Sequence, residues 1–426
     1  MTHKLSRYIL PSVISMVLVS AYTNIDGLFI GNVAGDDGIA AINIVWPVVA
    51  FITSLGTGIG VGGSIIISER RGRSEFEKAG AARFTTLLLL TVAGIAATLL
   101  LFFLHPFLLK AMGADGRVLE YAENYAFVVS LGSLFQIMGA GLVVLLRCDG
   151  KTGFAMLYTA VGLAVHILLD ILLVREYALY GVAFATVAAQ AVVMVAGLAT
   201  LRIGRSTKIR FALAKDILRS ALAPFGINFV ASLVLLFTNY FALQYGGTAA
   251  VSAYGVMSYA VYTFDYIFQG VCDGIQPIVS FCFGAGDVQQ AKRTLRSAVI
   301  ILAVLAAAFV LLTPLMIWGL PKIFSASAET AGFMHSGLII YAFSYPCKAA
   351  VKLICSYFYS KKKLWQANML TYIEPLLLAP LLLAVLPLWV GLNGIWLALP
   401  VSQAIVAAVG ILLLALSRGN NGGKKA

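Results

Sequence analysis

Residues 58–72, GIGVGGSIIISERRG, return 212 positions later as GVCDGIQPIVSFCFG at residues 270–284. Three glycines and one serine keep their places in both segments, and Ala79 recurs at the same offset as Ala291. A second set of residues recurs 213 positions apart: Gly181, Ala185, Gln190 and Ala191 return as Gly394, Ala398, Gln403 and Ala404. The chain is therefore predicted to contain two copies of one structural unit.

Composition predicts that both copies lie in a membrane. Of the 426 residues, 61% are hydrophobic and 11% are charged, and the mean hydropathy is +0.94. Soluble proteins average about 25% charged residues. Apolar runs long enough to cross a hydrocarbon core ~30 Å thick fall near residues 8–32, 38–68, 84–108, 119–146, 152–174, 179–201, 220–244, 249–283, 297–320, 332–359, 365–388 and 392–416.

These twelve runs are too long, and too often interrupted by Gly or Pro, to be strands of a membrane barrel. We therefore predict an all-α polytopic membrane protein with twelve transmembrane helices in two six-helix bundles related by the internal repeat. The predicted boundaries are an N-terminal lobe at 1–202, a cytoplasmic linker at 203–216, a C-terminal lobe at 217–416 and a disordered tail at 417–426. A short amphipathic helix is expected at 211–219.

The net charge of +12 follows from membrane topology. If the N-terminus lies inside, the inner segments carry 24 Lys and Arg residues and the outer loops carry four. This excess is the positive-inside pattern, which predicts a multi-pass protein of the inner or plasma membrane with both termini cytoplasmic. We expect the lipid bilayer as partner and no nucleic acid.

The remaining chemistry-bearing residues exclude several other classes of protein. The five cysteines fall in or at the ends of apolar runs and form no CxxC pair, which argues against disulfides and against a metal site. The chain has no P-loop motif, so ATP drive is unsupported. We expect a protein that is not an enzyme and that has no cofactor.

Two acids lie deep in apolar runs of the first half, at matched depth. Asp26 is about twenty residues into the first run, and Asp170 is about nineteen residues into the fifth. The repeat places Leu383 opposite Asp170 and no carboxylate opposite Asp26. An ionisable residue inside a membrane is costly and indicates a functional site, so this pair predicts a site for a coupling ion in the first lobe of a transporter built from repeats.

Other polar residues of the first half could complete this site. His166 lies one turn before Asp170 and could bond its carboxylate, relay its proton or act as a ligand. Asn24, Asn43 and Thr186 are candidates for the surrounding pocket. Sodium would want about six oxygen ligands, and an imidazole weakens that case, so we favour a proton over sodium.

The second half has its own polar stripes. Asp265, Gln269 and Asp273 recur every four residues on the eighth run, and Lys348 and Lys352 do so on the tenth. Glu374 lies at a depth comparable to Lys352. These groups could neutralise one another and lock the bundle, or line a cargo cavity and recognise a zwitterionic or anionic group. Two further candidates for the cavity wall are Tyr240 and Tyr262.

Several stretches together resemble the multidrug and toxic compound extrusion (MATE) family, and most closely its DinF and MepA-like bacterial branch. They are NIDGLFIGNVAG at 24–35, GIGVGGSIIISERRG at 58–72, LLRCDGKTGFAM at 145–156, HILLDILLV at 166–174 and DGIQPIVSFCFGAGD at 273–287. The resemblance implies twelve helices in two bundles around a V-shaped cavity. It also implies export of bulky, mostly cationic amphipathic compounds against entry of protons or sodium.

The chain departs from that family pattern at three places. His166 stands where members commonly carry an asparagine, and the seventh run offers Asn228, Thr238 and Asn239 where some members have an acid. The tenth run has Lys348 and Lys352 in place of acids. The pattern still favours a monomeric cation-coupled antiporter that exports small amphipathic drugs, toxins or metabolites by alternating access.

Two alternatives stay open. One is a flippase or exporter of a lipid-linked, anionic or zwitterionic metabolite; the two intramembrane lysines keep it open, while twelve spans disfavour it. The other is a major-facilitator transporter, because Glu69-Arg70-Arg71-Gly72-Arg73 is similar to a loop of that family. The matching loop of the second half, residues 280–287, has no arginine, which argues against this second alternative.

Overall fold

The computed structural model describes residues 2–201, 211–324 and 326–422, with the backbone alone at a few of them. Within these ranges the regular secondary structure is helical. The helices are α1 (Thr2–Gly72), α2 (Phe76–Ala111), α3 (Gly116–Leu131), α4 (Ser133–Cys148), α5 (Thr152–Thr200), α6 (Phe211–Ala285), α7 (Val288–Ile323), α8 (Ala328–Ala342), α9 (Ser344–Ser360), α10 (Leu364–Ile373), a π-helix (Glu374–Leu378), α11 (Ala379–Val385), α12 (Pro387–Val390) and α13 (Leu392–Gly422).

The described helices supply the twelve membrane crossings that the sequence predicts. Eight segments are long and apolar enough to span a membrane, or ten when the bent pairs α3–α4 and α8–α9 each count as one. Two of these segments, α5 with 49 residues and α6 with 75, are too long for one crossing. At ~1.5 Å per residue, even α5 would be more than twice as long as a ~30 Å core is thick. Each breaks at one non-helical residue, Ala178 or Gly247, and so provides two spans.

The internal repeat is visible in the backbone. Gly35 has φ 58° and ψ −148°, and Gly247, which lies 212 positions later, has φ 63° and ψ −159°. Ala178 and Gly391, 213 positions apart, break their segments with φ 46° and φ 58°. The two halves therefore bend their helices at equivalent positions. At Ala178 a side chain occupies a conformation that normally favours glycine.

The two glycines that end the repeated motif pack against each other's helices. A Cβ atom on Gly72 would meet the backbone of Phe281 and Ala285, and one on Gly284 would meet the backbone of Glu69. Backbone atoms cannot move aside as flexible side chains do, so both positions require glycine. This close approach joins the end of α1 to the end of α6.

The chain forms two compact units. The first comprises Met1–Phe229 with Ser280–Val288, and the second comprises Val230–Val279 with Gln289–Ala426. Most of the predicted linker, residues 203–210, lies outside the described residues, and α6 begins at Phe211. α13 extends to Gly422, so residues 417–422 of the predicted tail are helical and the rest lie outside the described range.

Candidate functional site

Three ionisable side chains of the first unit meet in its interior. His166 Nε2 lies 2.9 Å from Asp26 Oδ1 and 3.4 Å from Asp170 Oδ2. One ligand atom from each residue lies within 4.8 Å of the others. His166 and Asp170 are fully buried, and Asp26 is only 8% exposed. The two acids that the sequence places at matched depth are thus brought together around one imidazole.

Local sequence explains this convergence. His166 and Asp170 are four residues apart on α5, and residues at this spacing share a helix face. Asp26 lies on α1 nine residues before the break at Gly35. Both acids therefore lie in helical segments that end shortly afterwards at a positive-φ residue.

Further side chains of α1, α3 and α5 close the site with hydroxyl groups and an aromatic ring. Thr186 Oγ1 lies 3.2 Å from His166 Nε2 and also donates to the carbonyl oxygen of Val182 at 3.1 Å. Tyr125 donates its hydroxyl to Asp26 Oδ2 at 3.5 Å. The ring of Tyr22 stacks on the imidazole with centroids 5.0 Å apart.

The cluster has more acceptors than donors. His166 Nε2 can carry at most one proton, yet two carboxylates and the Thr186 hydroxyl lie within 3.4 Å of it. Within the described residues, neither carboxylate oxygen of Asp170 has a hydrogen-bond partner, and His166 Nδ1 has none either. Buried carboxylates without donors are costly, so the arrangement is suited to taking up a proton or a small cation.

The two predicted asparagines are not part of the described cluster. The side chain of Asn24 lies outside the described part of the structure, and Asn43 is exposed on α1. Sequence reasoning missed Tyr22 and Tyr125. Tyr22 is four residues before Asp26, which was a usable signal. Tyr125 comes from α3, and nothing in its local sequence indicates the contact.

The second unit holds a separate polar cluster on α6 and α9. Lys352 Nζ lies 2.9 Å from Asp265 Oδ2 and donates a hydrogen bond to Gln269 Oε1 at 3.1 Å. Gln269 donates in turn to Asp273 Oδ1 at 2.7 Å. Lys348 Nζ lies 3.9 Å from Asp265 Oδ1. The predicted stripes therefore meet, and Asp265 is the carboxylate that both lysines face.

Glu374 begins the π-helix between α10 and α11. Its carboxylate accepts hydrogen bonds from Ser402 Oγ at 3.2 Å and from Gln403 Nε2 at 2.5 Å. π-helical turns inside α-helices often lie at functional sites. Among the predicted cavity aromatics, Tyr262 donates to the carbonyl oxygen of Ala231 at 3.5 Å, whereas Tyr240 is 60% exposed.

Ion pairs tie together the helix ends near the repeated motif. Arg71 Nη2 lies 2.7 Å from Asp149 Oδ1, and Arg83 pairs with the same oxygen. Glu75, in the turn between α1 and α2, pairs with Arg70 at 2.6 Å and with Lys78 at 3.0 Å. Hydrogen bonds from Arg70 and then Lys78 lower the pKa of the partly exposed Glu75 carboxyl.

Twelve helical crossings in two equivalent halves, with ionisable groups buried in each, define a polytopic membrane protein built by duplication. The MatE family model matches residues 11–172 and 224–383, which is most of the chain. The protein belongs to this family, and the resemblance seen in its sequence motifs is confirmed.

Curated relatives agree with this assignment. The multidrug export protein MepA of Staphylococcus saprophyticus is 22% identical over 425 residues, which cover 97% of this chain and 93% of the relative. MepA of Staphylococcus aureus is 27% identical over 294 residues, covering 66% of this chain and 64% of the relative. These matches support the MepA-like branch.

Solved structures share the whole fold. An outward-facing multidrug resistance MATE family transporter of the MOP superfamily superposes with a TM-score of 0.91 at 22% identity, covering 97% of this chain and 95% of the other. A MOP superfamily transporter from Pyrococcus furiosus has a TM-score of 0.89 at 22% identity with the same coverage. At this identity the likeness establishes the fold alone.

Proposed function

We propose that the protein is a cation-coupled antiporter that exports amphipathic drugs, toxins or metabolites by alternating access. Its family and its MepA relatives, which are named multidrug export proteins, support the export of small molecules. The observation that carries the coupling is the meeting of Asp26 and Asp170 at one imidazole nitrogen.

Charge balance explains how this cluster couples. Two ionised carboxylates and one imidazolium carry a net charge of −1, which is costly to bury in a membrane. One additional proton makes the cluster neutral. A protonated, neutral cluster suits a first lobe whose interior excludes water. Release of the proton requires water or an arriving cation to stabilise the charge. Binding of cargo and binding of the proton then exclude one another.

A proton suits the available ligands better than sodium does. Hard cations in proteins take about six oxygen ligands. The described residues around the site supply two carboxylates, the hydroxyls of Thr186 and Tyr125, and an imidazole nitrogen. The imidazole nitrogen can accept and release a proton but is not an oxygen ligand for sodium. The proton is therefore our choice, and sodium is the second candidate.

The distribution of basic residues supports an orientation with both termini in the cytoplasm of a cell membrane. We expect a transporter and not an enzyme, because the curated relatives are named export proteins. The antiporter cycle requires one chain only, and we expect a functional monomer.

Proteoliposomes test this proposal. Purified protein is reconstituted, and uptake of a fluorescent cation such as ethidium is followed under a proton gradient or a sodium gradient imposed separately. We expect the proton gradient to drive uptake and Asp170→Asn to abolish it. Glu176→Gln is the matched control, since Glu176 is an exposed acid on the same helix. Uptake that survives Asp170→Asn at the wild-type rate would refute the coupling assignment.

The second candidate function is a flippase or exporter of a lipid-linked or anionic compound. The two lysines on α9, buried close to Asp265, are the observation that favours it. The same proteoliposomes distinguish the two, because a flippase moves a fluorescent anionic lipid between leaflets and a drug antiporter leaves it in place.

A further inference from the structure

The two lysines of α9 are held differently. Lys352 has both an ion pair at 2.9 Å with Asp265 and a hydrogen bond at 3.1 Å to Gln269. Lys348 has one ion-pair contact among the described residues, at 3.9 Å to Asp265 Oδ1. That distance is too long for a hydrogen bond. An ammonium group carries three N–H donors, so the donors of Lys348 are poorly matched.

The position of Lys348 makes this mismatch expensive. Its side chain is only 10% exposed. It lies twelve residues before the end of α9 at Ser360, which corresponds to ~18 Å along the helix, well inside a core ~30 Å thick. A charged amine at such a depth needs a counter-ion or water, and by default it indicates a functional site.

The nearby carboxylates are already engaged. Asp265 forms an ion pair with Lys352 at 2.9 Å, so it cannot fully neutralise a second ammonium group. Glu374 acts on Lys348 electrostatically, but both of its oxygens accept hydrogen bonds, from Ser402 and Gln403. Asp265 therefore faces two ammonium groups, and among the described residues it makes a hydrogen-bond-length contact with Lys352 and none with Lys348.

We propose that Lys348 binds a carboxylate of the cargo, while Lys352 is a positioning residue that holds Asp265 and Gln269 in place. This inference rests on the proposed export function and names its substrate class: amphipathic compounds that carry a carboxylate, zwitterions included. An anion reaching Lys348 displaces no strong contact. A cation reaching Asp265 would first have to displace Lys352, which makes this cluster a poorer site for purely cationic cargo.

A matched pair of dyes tests the inference. Rhodamine B carries a free carboxylate, and its ethyl ester is the same cation without one. Binding of each dye to purified wild-type protein, Lys348→Gln, Lys348→Arg and Lys352→Gln is measured by fluorescence anisotropy. We expect Lys348→Gln to weaken binding of the acid about tenfold, as for one lost charge-assisted hydrogen bond, and to leave binding of the ester unchanged. Lys348→Arg should restore most of the affinity for the acid.

Lys352→Gln tests whether Lys352 positions its neighbours and does not itself recognise the cargo carboxylate. We expect it to lower the melting temperature and to weaken both dyes alike, because Asp265 would then lose its partner. The inference is overturned if Lys348→Gln weakens acid and ester equally, if it leaves the acid unaffected, or if the wild type does not bind rhodamine B.

Ethidium, a cation without a carboxylate, keeps the inference apart from the proposed function. If wild-type protein transports ethidium and Lys348→Gln does not discriminate acid from ester, the export function stands and the role of Lys348 falls. If neither gradient drives transport of ethidium or of rhodamine B, but Lys348→Gln still weakens binding of the acid and not of the ester, the export proposal falls and the carboxylate site stands.

Discussion

Asp26 on α1 and His166 on α5 bring a carboxylate oxygen and an imidazole nitrogen to 2.9 Å from each other in the interior of the first unit. The same nitrogen lies 3.4 Å from Asp170, so one titratable ring separates two acids. A ring in this position can pass a proton between them or keep both charged. The arrangement gives the duplicated fold its asymmetry, because the equivalent of Asp170 in the second half is the buried Leu383.

Replacing His166 should separate its charge from its hydrogen bonding. His166→Leu leaves two buried carboxylates without a neutralising group, so we expect a loss of about 3 kcal/mol in stability, typical of breaking a buried ion pair, and loss of proton-driven uptake. His166→Asn retains an N–H donor and should keep more of the stability. The loss of stability is measured by thermal melting, with the fraction of folded protein determined by size-exclusion chromatography after heating. A His166→Leu protein that melts at the wild-type temperature would contradict this role.

Gly72 should tolerate no side chain. A Cβ there would meet the backbone of α6, so Gly72→Ala should destabilise the protein by about 1–3 kcal/mol, as overpacking does. Gly332→Ala is the control, because a Cβ on this glycine of α8 meets nothing within 4 Å. Alanine there should be neutral or stabilising by up to about 1 kcal/mol through helix propensity. Equal melting temperatures for the two variants would mean that the close approach of α1 and α6 is wrong.

Ala178 should gain from replacement by glycine. Its φ of 46° is costly for a residue with a Cβ, so Ala178→Gly should stabilise the protein by about 1 kcal/mol or leave it unchanged. Ala96→Gly, at an exposed position inside α2, should cost about 1 kcal/mol instead. Opposite shifts of the melting temperature are the expected result. A loss of stability in both variants would argue against the break at Ala178.

The turn between α1 and α2 should contribute stability that depends on pH. Arg70 and Lys78 lower the pKa of Glu75 below its usual value, so its ionised form is favoured in the folded protein. The contribution is present above the unfolded pKa and disappears as pH falls through the lowered folded pKa. The small difference in melting temperature between wild type and Glu75→Gln should therefore vanish in the acid range. A difference that stays constant from pH 7 to pH 3 would contradict this pairing.

Much of this fold could be predicted from the sequence, because hydropathy and the repeat are long-range signals that survive without side-chain detail. The i, i+4 spacing of His166 and Asp170 and the matched depth of Asp26 also predicted which residues could share a site. The partners of the lysines could not be chosen in advance, since Asp265, Asp273 and Glu374 were all at suitable spacing. Only packing selects Asp265.

Other features left no local trace. Ala178 breaks α5 with neither glycine nor proline at the break, so composition alone does not indicate its backbone conformation. Tyr125 reaches Asp26 from a different helix, and its contact depends on how α1 and α3 pack. Asn43 was a reasonable polar candidate, but periodicity does not decide which face of a membrane helix is covered, and its side chain is exposed.

Proton release on cargo binding tests the central claim most directly. Ethidium is added to purified protein in a weakly buffered detergent solution with a pH-sensitive dye, and the protons released per bound cargo molecule are counted. The Asp26–His166–Asp170 cluster predicts proton release from the wild type and from Glu176→Gln, and none from Asp170→Asn although its helices remain folded. Equal release from wild type and Asp170→Asn would contradict the claim that this cluster exchanges its proton for cargo.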